Sequence, residues 1–128
     1  MKFPLHLSMA RYNESAESAG LTDALEEEMN RHPLETIRKL DPEFFDSLSK
    51  VREHAFKEGA LSAKAKYLIA MALDAAHGAE GGVTSLARQA MKHGASKEEI
   101  LEALHVANYI SGVGSVYTAS FGLAEAFK

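Results

Sequence analysis

The chain has no cysteine in its 128 residues. That absence excludes disulfides, Cys-ligated zinc and every reaction that needs a thiolate nucleophile. Proline is nearly absent too: Pro4, Pro33 and Pro42 are the only three. Beyond Pro42 nothing but glycine can therefore interrupt a helix. Strand-type alternation of apolar and polar residues is also missing, so the fold class is all-α. There is no internal repeat, low-complexity tract or linker rich in Pro, Gly and Ser. The longest apolar run, Tyr67 to Leu73, falls far short of the ~20 residues that a membrane span needs. The opening segment, Met1 to Leu7, has no signal-peptide core. A cytoplasmic protein without membrane attachment is expected. The net charge of −4 supplies no basic face for nucleic acid.

Helix signals fill the rest. Leu21, Leu25 and Met29 share one helical face, with Glu26, Glu27 and Glu28 turned to water; His32-Pro33 closes that segment. Leu34, Ile37 and Leu40 form a short second element. Asp41-Pro42 starts a helix, with Asp as N-cap and Pro in the first turn. Its apolar face is Phe44, Phe45, Leu48, Val51 and Ala55, and Gly59 ends it. Ser62 caps the next helix, which is apolar nearly all round and so expects cover on both sides. Gly78, Gly81 and Gly82 break that helix, and another runs from about Val83 to His93, stopped by Gly94. Ser96 to Glu99 is a capping box. It opens a helix expected to bury Ile100, Ala103, Leu104, Ala107 and Ile110. After Gly112-Val113-Gly114, a last helix is expected to carry Val113, Val116, Tyr117, Ser120, Leu123, Ala124 and Phe127 on one side, with Tyr117 and Phe121 in the core or at an interface.

Three passages carry a resemblance: Leu40 to Phe45, Glu58 to Lys66, and His93 to Leu104. In order and separation they resemble the carboxymuconolactone decarboxylase and alkylhydroperoxidase-like family. The resemblance implies a single-domain helical bundle of the alkylhydroperoxidase-like type, with about six helices. It covers residues 40–128 and leaves 1–39 as an N-terminal helical extension. It also implies a homo-oligomer, a trimer or hexamer. Peroxidase-type members carry C-x-x-C followed by x-x-x-His; here those positions are Ala79, Gly82 and Leu86. Their proton-relaying glutamate falls at Tyr67. None of these replacements can do the original chemistry. The decarboxylase branch needs no cysteine, but the polar groups and histidine it carries near Gly82 and Leu86 are missing as well.

The polar candidates are His77 and Glu80, which flank the altered site. Asp74 lies one turn before His77, so it could orient the imidazole as a general base. Alternatively, His77 simply sits at a helix C-terminus, where partial positive charge is favourable. No metal is expected, because Asp74, His77 and Glu80 at i, i+3 and i+6 do not share a face. His105 either reaches a ligand at a subunit boundary or is solvated beside Glu102. Tyr67, Ala79, Gly82, Leu86 and His105 are the candidate pocket residues. Lys64, Lys66 and Arg88 are the nearest cations for an anionic substrate.

Three functional readings follow, none needing a cofactor. One is a non-redox member with a small-molecule ligand. Another is a carboxy-lyase or lactone-processing enzyme using His77 and Glu80. The third is an assembly protein with a partner-binding N-terminal segment. A peroxiredoxin-type activity, inferred by family transfer alone, conflicts with the missing sulfur.

Overall fold

The computed structural model describes Gly20 and residues 33–128. The expected helix around Leu21, Leu25 and Met29 lies outside the described residues. Residues 33–128 form α1 (Glu35–Leu40), α2 (Pro42–Phe56), α3 (Ala63–Ala76), α4 (Glu80–Lys92), α5 (Lys97–Ser111) and α6 (Gly114–Ala126), with no strand among them. The chain divides into two compact units, Met1–Leu48 and Ser49–Lys128.

In the first unit, α1 ends where the Asp41 amide bonds the Ile37 carbonyl at 2.7 Å. The side chain of Asp41 then accepts from the Phe44 amide at 3.1 Å, which caps α2 as its Asp-Pro start requires. α2 buries none of its residues, and Phe44 and Val51 on its expected apolar face are exposed. It ends at Phe56, three residues before Gly59. From Ser49 onward α2 belongs to the second unit, and there Phe56 is partly buried against the core.

In the second unit, α3 is the centre: it packs on α4, α5 and α6, while α6 also packs on α4 and α5. The Ser62 hydroxyl accepts from the Ala65 amide at 3.1 Å and starts α3. Gly78, at φ 81°, ends it. There Ala79 donates to the Asp74 carbonyl at 2.9 Å and Gly78 to Ala75 at 3.3 Å, the paired bonds of a Schellman turn. The turn is complete in two residues, so α4 begins at Glu80. Gly81 and Gly82, expected to interrupt the chain, instead lie in its first turn.

Gly94 repeats the device at φ 98° after α4. The expected capping box of α5 is fully formed: Glu99 donates its amide to Ser96 Oγ at 3.0 Å, and Ser96 donates its own to Glu99 Oε1 at 3.0 Å.

The core is built from Tyr67, Met71 and Ala75 of α3, Val83, Ala87 and Ala90 of α4, Ile100 and Leu104 of α5, and Ala119, Leu123 and Ala126 of α6. Two expectations fail here. Ile110 is exposed rather than buried. In α6 the buried stripe is Ser115, Ala119, Gly122, Leu123 and Ala126, while Val113, Val116, Tyr117, Ser120 and Ala124 face solvent. The reason is the close approach of α6 to α4. A Cβ at Gly122 would lie 2.7 Å from Val83 Cβ and 2.8 Å from the Glu80 carbonyl oxygen. No side chain fits at the position that meets Val83 and Glu80, so α6 turns its Gly122 side inward and Val116, Tyr117 and Phe121 outward. Two bonds fasten the contact: Thr84 Oγ1 donates to the Gly122 carbonyl at 2.8 Å, and Arg88 Nη2 to the Glu125 carbonyl at 2.8 Å.

Candidate functional site

The elbow between α3 and α4 holds the positions that matter chemically. Ala79 is the N-cap of α4, half-buried, with a methyl group where a thiol would be needed. Gly82 lies in the first turn and faces back to α3. A Cβ on Gly82 would meet Asp74 Oδ2 at 1.9 Å and Asp74 Cγ at 2.7 Å. The Asp74 carboxylate therefore occupies the space any side chain at 82 would need. Leu86, one turn on, is partly buried and packs on the core.

His77 is exposed as the C-cap of α3, its backbone N–H donating to the Leu73 carbonyl at 3.0 Å. Glu80 is exposed at the start of α4. His105 is exposed on α5. Tyr67 has the opposite fate: it is buried and stacked on Phe56, with ring centroids 4.4 Å apart and planes 12° from parallel. The structure thus brings Asp74 against Gly82, sinks Tyr67 and Leu86 into the core, and leaves His77, Glu80 and His105 in water.

All three candidate cations are engaged with the protein. Lys64 Nζ bonds Glu99 Oε2 at 3.0 Å. Lys66 Nζ donates to the Lys57 carbonyl at 2.6 Å, and Arg88 to Glu125 as described. The backbone N–H of Ser96, and then the Lys64 ammonium, hold the Glu99 carboxyl below its ordinary range by stabilising the charged form. Among the described residues no cluster of three or more His, Asp and Glu could hold a metal ion.

Two features escaped the sequence reading. One is the continuation of the aromatic stack: the His93 ring lies 5.1 Å from that of Tyr67 at 32°. Its Nδ1 is 2.9 Å from the Gln89 carbonyl oxygen. Nothing in the spacing of residues 67 and 93 signals this contact. The other is an apolar groove of about 360 Å³ between α3 and α5, lined by Ile69, Ala72, Leu73, Val106, Ile110 and Ser111 among others. None of the candidate pocket residues lines it. The all-round apolar character of α3 was its one sequence trace.

Residues 42–126 match the carboxymuconolactone decarboxylase family. The chain belongs to that family. Its fold is similar to the crystal structure of the apo form of a carboxymuconolactone decarboxylase family protein from Legionella pneumophila. The TM-score is 0.69 and the identity 32%, over 88% of this chain and 96% of the other. No curated protein matches the sequence. With no cysteine anywhere, this carboxymuconolactone decarboxylase family member lacks the thiols that a redox cycle requires.

Proposed function

We propose that this family member works without redox chemistry, as a homo-oligomeric binding and assembly protein. One observation carries the non-redox part. The two positions for sulfur hold Ala79 and Gly82, and the Asp74 carboxylate fills the space over the second. The elbow lacks both thiols, and the Asp74 carboxylate would have to swing away before any side chain fitted at 82.

The lyase alternative would rest on His77 and Glu80, whose exposure gives a substrate free access. Charge argues against a small anionic acid there. Asp74 and Glu80 put two carboxylates at the elbow, while Lys64, Lys66 and Arg88 are bonded to protein oxygens. With these three cations engaged elsewhere, the two like charges repel such a substrate. We place the protein in the cytoplasm and treat residues 1–39 as an extension of the family domain at 40–128. No helix among the described residues is long and apolar enough to cross a membrane.

The decisive assay is hydroperoxide consumption by the purified full-length chain with dithiol donors. No turnover above buffer is expected. The paired change Ala79→Cys and Gly82→Cys should also stay inactive, because Tyr67 and Leu86 stand where the glutamate and histidine of a peroxidase site would be needed. Peroxide reduction by the unaltered protein would refute the proposal.

A further inference from the structure

The groove between α3 and α5 owes its shape to four alanines. Ala72 and Ala76 lie one turn apart on α3, and Ala103 and Ala107 one turn apart on α5, so each helix brings a row of methyl groups to the groove. Beside them run two rows of longer side chains, Ile69 with Leu73 on α3 and Val106 with Ile110 on α5. The alanine rows are too short to fill the space that the longer rows flank, and a hollow of about 360 Å³ remains. The longer side chains stay wet: Ile69 is 48% exposed, Leu73 54%, Val106 64% and Ile110 74%. Each Å² of such surface that a ligand removes from water is worth about 25 cal/mol. Small-molecule pockets begin at about 300 Å³, so the groove has the size of one.

Its lining also selects the chemistry of the occupant. Among the described residues that line it there is no Asp, Glu, Lys, Arg or His, and Ser111 at the end of α5 is the polar side chain. A carboxylate, phosphate or ammonium entering there gives up hydration and meets no opposite charge. A hydrocarbon body pays no such penalty. Apolar cavities of about 150 Å³ already admit benzene, so this hollow accepts roughly ten to fourteen carbon atoms. A hydroxyl or carbonyl at one end of the molecule can bond the Ser111 hydroxyl, which both donates and accepts.

We infer that the groove between α3 and α5 binds an uncharged, hydrocarbon-bodied small molecule with a single terminal hydroxyl or carbonyl. The inference rests on the non-redox binding reading above and adds the place and the ligand class. It also separates two sites that reject small anionic acids for different reasons. At the elbow Asp74 and Glu80 repel a negative charge, whereas in the groove nothing answers a charge of either sign.

The test uses the full-length chain and two matched pairs of probes. Naphthylamine, followed by its own fluorescence, should bind saturably at one site per chain. Its sulfonate adds only a negative charge to the same rings and should bind at least about tenfold more weakly. Decanol should displace naphthylamine, and decanoate should do so at least about tenfold less well. Ala72→Phe, which fills the hollow, should weaken naphthylamine binding at least about tenfold with the helical circular dichroism unchanged. Ala124→Phe, exposed on α6 and outside the groove lining, should leave binding as it was. Val106→Asp sets a charge at an exposed position of the groove and should match Ala72→Phe even where the larger ring disturbs packing. Ser111→Ala should weaken decanol about fivefold. No saturable binding, equal binding of the charged and uncharged probes, or binding indifferent to both Ala72→Phe and Val106→Asp would overturn the inference. The non-redox reading would survive each of these results, because the peroxide assay alone decides it. Dissociation of an oligomer by Ala72→Phe in sedimentation velocity, with naphthylamine binding retained, would show that a second copy covers the groove and would overturn the inference as well.

Discussion

Gly122→Ala tests the packing of α6 on α4 directly. The added methyl carbon would sit 2.7 Å from Val83 Cβ and 2.8 Å from the Glu80 carbonyl oxygen. Non-bonded carbons prefer about 3.5–4.0 Å, so relief needs roughly 1 Å of movement. Neither neighbour is the tip of a flexible side chain: one is the first carbon beyond the backbone, the other is backbone. The helices themselves must part. Parting them stretches the 2.8 Å bond from Thr84 to the Gly122 carbonyl and loosens the seam of Val83, Ala119 and Leu123. Overpacking of this kind costs up to about 3 kcal/mol. Replacing a helical glycine by alanine returns about 1 kcal/mol of propensity, leaving a net loss of about 2 kcal/mol. For a chain of this size that lowers Tm by about 8 °C. The control is Gly81→Ala, where an added Cβ meets nothing within 4 Å and helix propensity alone acts. That variant should gain about 0.5–1 kcal/mol. Thermal denaturation followed by far-UV circular dichroism, at one protein concentration, reads both. If Gly122→Ala matched or exceeded the parent protein in Tm, the steric account of this seam would be wrong.

Further expectations are as concrete. Gly82→Ala should cost about 1 kcal/mol with Asp74 in place, because the carboxylate must swing away, and should be stabilising once Asp74 is Ala; an additive double-mutant cycle in urea denaturation would show that the two residues do not compete for space. Ser96→Ala should cost about 1 kcal/mol through loss of the α5 cap, measured the same way. Glu99 titrates lower in the folded chain than in the unfolded one, so its stabilisation is fully present above the ordinary carboxylate range and fades as pH falls through its depressed folded value. Glu99→Gln should therefore be less stable than the parent at neutral pH, with the gap closing in acid; a gap that widened on acidification would contradict the assignment.

Much of this architecture is legible along the chain because its determinants are local. Ser62 and the Ser96–Glu99 box act within three residues, and Gly78 and Gly94 end helices by adopting positive φ where they stand. The missing chemistry is equally local, since a thiolate cannot be supplied by folding. What periodicity leaves open is the direction an apolar stripe faces. α6 carries two, and the spacing grouped Val113, Val116 and Tyr117 with Leu123 on one side. A stripe bound for the protein's own core and one bound for another surface share the same 3.6-residue repeat. Only the approach of α6 to α4 at Gly122 selects the small-residue side and turns the aromatic rings outward.

The same holds at the elbow. The identities of residues 79, 82 and 86 excluded redox catalysis from the sequence by itself. That the Asp74 carboxylate fills the space over Gly82, that Tyr67 stacks on Phe56 with the His93 ring tilted near it, and that a groove opens between α3 and α5 were decided by tertiary structure. Such contacts join residues on different elements, and their distances are set by how the helices pack rather than by their spacing along the chain.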